Sequence, residues 1–340
     1  MASTRFGFIG SPRDASPWLL KSLATLGTLE AVCDENVGHE AARIPARWFF
    51  TRLSALLGEA EPDAVAVGKP LGLRPQVIKQ CLTHGTAVLV AGAPGRGADC
   101  RRLVSLSRVA GRVLLAAPAI RYSPALVLAR RLVEAGKLDT PVLMTVESSR
   151  ANSDFRREGD SGPIPLDQVF EALDVVYTLI GPVQTVYAVA HAEATLVAAA
   201  VTEGGVPVSL VLDSNGRAED TGLRAEVRAA DGMRLLIDKN LQVTCGDGAR
   251  VDATHRFAVA TAEPAIELGY EGLVAEFCRL MRDPRADRGL TDQAWGALIA
   301  AEAVMASVTR GRPMEVRHPE KIATRRSGRA RTETGLAFPE

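Results

Sequence analysis

Asp167 and Glu171 lie four residues apart, with Asp174 close to one turn further on. On a helix that spacing puts the carboxyls on one face. Crowded carboxylates raise the pKa of one member, and a raised carboxyl serves as a general acid or base near neutral pH. The competing reading is that Asp167 caps its helix and Glu171 points to water or pairs with an arginine. A second group gathers at the N-terminus. Residues 6–15 read F-G-F-I-G-S-P-R-D-A: an apolar strand, a glycine, then a turn that leads into an apolar helical stretch. Strand, tight turn and helix begin a dinucleotide-binding unit, in which a pyrophosphate sits at the helix N-terminus. Gly10, Ser11 and Arg13 are the candidate contacts of that turn. Asp34 ends the next strand and is spaced to take a ribose hydroxyl. Lys69 follows a further strand and is a candidate for the same mouth, or else a surface lysine before a proline.

The turn departs from the fingerprint G-x-G-x-x-G/A. Gly10 and Ala15 fit its first and third positions, but Pro12 holds the second. Proline adds a ring where backbone must approach phosphate, and removes an N–H. The alternative is a strand–turn–helix that binds nothing. No metal is expected. His39, His84, His191, His255 and His318 show no ligand spacing, and Cys33, Cys81, Cys100, Cys245 and Cys278 lack any C-x-x-C pair. Odd, scattered cysteines argue for a reducing cytoplasm rather than a disulfide framework.

These groups need a scaffold that brings distant stretches together. Up to Pro118 short apolar runs alternate with helical ones. Strands are expected at residues 6–9, 29–33, 64–67, 87–90 and 113–116, with a short strand or turn at Trp48-Phe49. Helices are expected at 18–26, 40–43, 53–57, 74–84 and 99–110. That alternation means a doubly wound parallel sheet. Beyond it come a helix at 124–136, a strand at 142–148, a polar loop at 149–163 and a helix at 165–180. Strands follow at 185–191, 195–202, 206–213, 223–229, 233–238 and 241–245. Gly204-Gly205, Asn215-Gly216 and Asp231-Gly232 punctuate them as hairpins, so an antiparallel sheet is expected. Helices at 271–283 and 292–310 close the unit.

The 340 residues suffice for two domains, read as 1–120 (Rossmann-like) and 121–317 (α/β) with a basic tail over 318–340. The tail carries Arg325, Arg326, Arg329 and Arg331 and reads as a solvated arm. Forty Lys and Arg balance forty Asp and Glu, which gives no global field for nucleic acid or membrane. No apolar run is long enough to span a bilayer, and no secretory signal pattern is seen.

Five stretches, taken in order, resemble the glucose–fructose oxidoreductase, inositol dehydrogenase and rhizopine-catabolism family (Gfo/Idh/MocA). They are residues 5–34, 63–94, 121–137, 167–181 and 289–313, with D-A-V-A-V-G-K-P in the second and D-Q-V-F-E-A-L-D in the fourth. The resemblance implies a Rossmann domain followed by an α/β domain, whose sheet face often forms the oligomer interface. It also implies NAD or NADP and oxidation or reduction of a sugar or cyclitol carbon. The family's working groups are an E-K-P lysine and a D-x-x-x-H pair. Here E-K-P aligns with Ala91, Gly92 and Ala93, so the lysine position is Gly92. The acid pair aligns with Asp167 and Glu171, which replaces the histidine.

Hydride transfer from an alcohol needs a group to take the hydroxyl proton, and a histidine near pKa about 6.5 suits that better than a glutamate near about 4.3. The expectation is therefore an eroded member, repurposed as an atypical enzyme or as a non-catalytic partner of an active homologue. NAD or NADP binding would be weakened, and Asp167 and Glu171 would be left for acid–base work. The alternative is an active NAD(P)-dependent oxidoreductase that transfers protons through Lys69 or Glu171. A weaker third reading is a small-molecule sensor. Expected partners are a small ligand in the cleft between the domains and further copies through the C-terminal sheet. Arg121 and Tyr122 meet an anionic ligand, or Arg121 packs against the second domain.

Overall fold

A computed structural model describes residues 3–11, 16–35, 44–68, 72–151, 164–192, 194–216, 221–247, 264–283 and 289–318. The first sheet contains β1 (Arg5–Ile9), β2 (Thr28–Cys33), β3 (Trp48–Phe50), β4 (Ala64–Val67), β5 (Ala87–Val90) and β6 (Leu114–Ala116). All are parallel, in the order β3-β2-β1-β4-β5-β6. That order reverses direction between β1 and β4, and the crevice outside the strand ends there is where such sheets bind ligands. Four of the strands read as unbroken apolar runs because helices cover both faces. Ala64–Val67 and Ala87–Val90 are buried throughout. The covering helices are α1 (Pro17–Leu26), the short α2 (Leu53–Ala55), α3 (Arg74–His84) and α4 (Ala98–Ala110). Gly85 and Gly111 close α3 and α4 in the left-handed conformation that a Cβ disfavours.

A 3₁₀ turn (Ala119–Tyr122) and α5 (Pro124–Glu134) lead into the second sheet. Ser123 caps α5, accepting from the Leu126 amide at 3.2 Å. The strands are β7 (Pro141–Ala151), β8 (Val183–His191), β9 (Thr195–Thr202), β10 (Pro207–Gly216), β11 (Gly222–Ala229), β12 (Arg234–Ile237), β13 (Val243–Gly246) and β14 (Met314–Glu315). Their order is β13-β12-β11-β7-β10-β9-β8-β14. All pairs are antiparallel except β7–β10. α6 (Leu166–Leu179) and α9 (Gly289–Arg310) cover one face.

Two local expectations are corrected. Ser149–Ala151 continues β7, and Asn215-Gly216 ends β10 rather than marking a hairpin. In both cases pairing decides: Gly216 lies opposite Ala151, and Gly222 opposite Ser149. The expected helix at 40–43, most of the loop at 149–163 and the tail beyond His318 lie outside the described residues.

The two sheets share one apolar core. The helices α7 (Pro264–Glu267) and α8 (Tyr270–Arg282) come late in the chain, yet α8 packs against α1. Phe277 of α8 is fully buried, with its ring 6.4 Å from that of Phe6 on β1. All five cysteines are buried, and none is in a disulfide. Burial pushes the Cys81 thiol up to about 12, so it behaves as a small apolar group. Among the described residues, no helix is long and apolar enough to cross a membrane and no cluster of three or more His, Cys, Asp or Glu could hold a metal ion.

Candidate functional site

The first turn of α6 meets the loop after β5 beside the switch point. Asp167 leads that turn. Its Oδ1 accepts from the Ala93 amide at 2.7 Å and from Arg74 Nη1 at 3.1 Å, and its Oδ2 lies 2.9 Å from the same nitrogen. Arg74 Nη1 also donates to the Ala93 carbonyl at 2.7 Å. A carboxylate from the second sheet's helix, a guanidinium from the start of α3 and the N–H and C=O of one loop residue thus form a closed set. The Asp167 and Arg74 side chains are 22% and 14% exposed, so the set is half-buried at the edge of the crevice.

Gly92 explains why the aspartate can enter. Its φ is +147°, and a Cβ built on it would lie 2.7 Å from Asp167 Oδ1. No side chain fits there while Asp167 keeps its bonds. The position that the resemblance assigns to a lysine is therefore filled from across the junction by a carboxylate.

Glu171, one turn further along α6, pairs with Arg150 near the end of β7. Asp174 is wholly buried and pairs with Arg121 of the 3₁₀ turn. Arg121 Nε lies 3.1 and 2.9 Å from its two oxygens, Nη2 donates to Oδ1, and Nη1 donates to Gln293 Oε1 at 3.1 Å. Burial pushes the Asp174 carboxyl up, and the Arg121 guanidinium pulls it back down. Each of the three carboxyls has its own arginine. Glu171 thus follows the arginine-pairing reading, and Arg121 the packing one. Asp167 does not cap its own helix, because it reaches to the Ala93 amide of another loop.

Gln168 stands between the first two acids and is wholly buried. Its Nε2 donates to Ser148 O and Asp213 O, each at 3.1 Å, and lies 3.3 Å from Ser148 Oγ. Its Oε1 accepts from Ser214 Oγ at 3.0 Å. These bonds seat the first turn of α6 on the ends of β7 and β10. Glu302 of α9 holds the far end of the β5–α4 loop, accepting from the Gly97 amide and lying 3.9 Å from Cys100 Sγ. Burial pushes its carboxyl up, while the Gly97 amide pulls it down.

Gly10 follows β1 with φ +140°, and its amide donates to Cys33 O at 3.0 Å. Asp34 is 6% exposed at the end of β2, and its amide donates to Phe50 O at 3.0 Å. Ser11 is half-buried beside Gly10. Gly10, Ser11 and Asp34 thus stand at adjacent strand ends. Pro12, Arg13 and Lys69 lie outside the described residues.

Sequence reasoning missed Arg74, Arg150, Gln168 and Glu302. Arg74 carried a faint signal, since it opens α3 ahead of Pro75 at the mouth of the sheet. The other three carried none, because their partners lie far along the chain.

No protein-family model matches this sequence, and no curated protein does. Solved structures do. An oxidoreductase from Agrobacterium radiobacter, in complex with NAD+, L-tartaric acid and magnesium, superposes with a TM-score of 0.78 at 10% identity over 93% of this chain and 99% of that one. GenD2 from gentamicin A biosynthesis, in complex with NAD, gives 0.76 at 19% identity, with 93% and 97% covered. A putative myo-inositol dehydrogenase from Sinorhizobium meliloti gives 0.73 at 16% identity, with 93% and 100% covered. These neighbours are Gfo/Idh/MocA-type oxidoreductases, and the chain has their fold.

Proposed function

We propose that this protein is an oxidoreductase-fold member whose crevice still takes a small molecule but has lost the lysine–histidine chemistry of hydride transfer. The observation that carries the reading is the fate of Asp167. Its carboxylate is committed to the Ala93 amide and Arg74, and it fills the space where a side chain at Gly92 would begin. The next acid along, Glu171, is bound to Arg150. Both acids that could move a substrate proton are thus tied to guanidinium groups, which bind and orient but do not trade protons. The protein is then a repurposed enzyme or a non-catalytic partner of an active homologue.

A dinucleotide of the NAD type fits the frame at Gly10, Ser11 and Asp34, and the bound NAD of the neighbours supports that choice. Bound there, the nicotinamide would supply a hydride acceptor. The buried Asp34 carboxyl would receive the ribose hydroxyls, and Pro12 would weaken the pyrophosphate contact by removing an N–H. Further copies would join through the open face of the second sheet, where Tyr187, Val189, Val197, Val201 and Val211 are exposed.

NADH and NADPH titrations, followed by fluorescence, test the reading together with NAD+ reduction over a panel of sugars, cyclitols and polyols. Weak binding, toward millimolar, and no turnover are expected. Micromolar NADH binding with turnover of any panel member would overturn it and establish the rearranged oxidoreductase instead.

A further inference from the structure

Residues 74, 92, 93 and 167 come from three segments that are distant in sequence, yet they meet in one set of contacts. Asp167 enters only because position 92 lacks a side chain, since a Cβ there would lie 2.7 Å from its Oδ1. Arg74 Nη1 faces both Asp167 oxygens, at 3.1 and 2.9 Å, and the Ala93 carbonyl at 2.7 Å. The Ala93 amide completes the loop to Asp167 at 2.7 Å.

We propose that Arg74 is the positioning residue of this crevice: it fixes the Asp167 carboxylate against the Ala93 peptide, and glycine at 92 is the condition for it. The inference rests on the reading that the crevice beside Asp167 is the ligand site, and it adds which residue sets the geometry there. A bidentate or shared guanidinium contact is directional, whereas an ammonium is a point charge on a flexible stem. The Arg74 cation therefore does more than neutralise. It holds the 93–94 peptide through the Ala93 carbonyl and, through the Asp167 carboxylate, the N–H of the 92–93 peptide, so both peptides that flank Ala93 are held. Those peptides lie on the loop after β5, and the carboxylate lies on α6 of the second sheet. Arg74 accordingly clasps the two sides of the crevice together.

Two neighbouring ties act elsewhere. Glu302 ties the same loop to α9, but at Gly97. Gln168 seats α6, but on β7 and β10, and reaches neither Ala93 nor Arg74. Removing Arg74 should therefore loosen residues 92–93 while α6 and the rest of the loop stay in place.

Site-resolved amide hydrogen exchange on the full chain, with no nucleotide added, tests this. Arg74→Gln and Asp167→Ala should each speed exchange at Ala93 by about 10- to 100-fold, the range of a lost hydrogen bond to a charged group. The double variant should add little, because both changes break the same set. Arg74→Lys should restore only part of the protection, since an ammonium supplies the charge without the fixed direction, whereas a residue that only fills space would give no such graded rescue. Exchange at Leu298, buried in α9, serves as the control for global loosening. A second cycle does not depend on Arg74→Gln. Gly92→Ala should lower the melting temperature of the parent clearly more than that of Asp167→Ala, since the backbone strain at 92 is common to both backgrounds. Unchanged exchange at Ala93 in both single variants would overturn the proposal, and so would an equal cost of Gly92→Ala in both backgrounds. These readouts involve no cofactor. Tight NADH binding with turnover would sink the functional reading and leave the clasp standing, and additive effects would do the reverse.

Discussion

The Arg121–Asp174 pair offers the sharpest energetic test. Both side chains are fully buried, and the guanidinium makes three contacts to the carboxylate plus one to Gln293. In Asp174→Leu the arginine keeps its charge and loses three of those four contacts. Breaking a buried pair from one side costs about 3–5 kcal/mol, because an uncompensated charge remains. For a chain of this length each kcal/mol moves the melting temperature by roughly 2 °C, so a fall of about 6–10 °C is expected. Replacing both partners, as Arg121→Met with Asp174→Leu, removes the charge as well. Gln293 then loses a donor, but it is exposed, and water takes that place. The double variant should recover to within about 1–2 kcal/mol of the parent. Urea unfolding followed by circular dichroism and by tryptophan fluorescence would measure both, and coincident transitions are needed before free energies are compared. The reasoning fails if Asp174→Leu loses less than about 1 kcal/mol, or if the double variant is no better than the single one.

Burial raises Glu302 above its ordinary value of 4.5. The folded protein then keeps a proton that the unfolded chain has released, so this group's contribution is full below pH 4.5 and is lost as pH rises through the raised value. Glu302→Gln keeps an acceptor for the Gly97 amide and should flatten that part of the stability–pH profile; an unchanged slope counts against the assignment. On the open sheet face, Val197 lies opposite Val211 on one neighbouring strand and Val189 on the other. If copies join there as proposed, Val197→Arg should give a monomer in sedimentation velocity where the parent is an oligomer, and a parent that is already monomeric would refute the interface.

Local pattern made most of the scaffold legible. Apolar runs bounded by Gly and Pro mark β1, β4, β5 and α3, and the four-residue spacing of Asp167 and Glu171 puts them on one helix face. What pattern could not supply is which cation each acid would meet. Asp167 and Arg74 are 93 residues apart and Asp174 and Arg121 are 53 apart, so no helical or strand period connects them. Gly92 read as a lost side chain, and three dimensions turn that loss into room for another group. Ser149–Ala151 looked like the start of a loop because Ser-Ser-Arg has little strand preference. Partners on both sides of β7 override it.

The position of α8 bears on how the chain reaches this shape during synthesis. A ribosome that has made residue 120 has produced every strand of the first sheet, but not Phe277, which packs beside Phe6. At about 5–20 residues per second that covering helix arrives roughly 8–30 seconds later. In the interval the apolar surface of β1 and α1 that α8 covers faces water. The first sheet thus cannot finish burying its core until α8, which ends at Arg282, has been made.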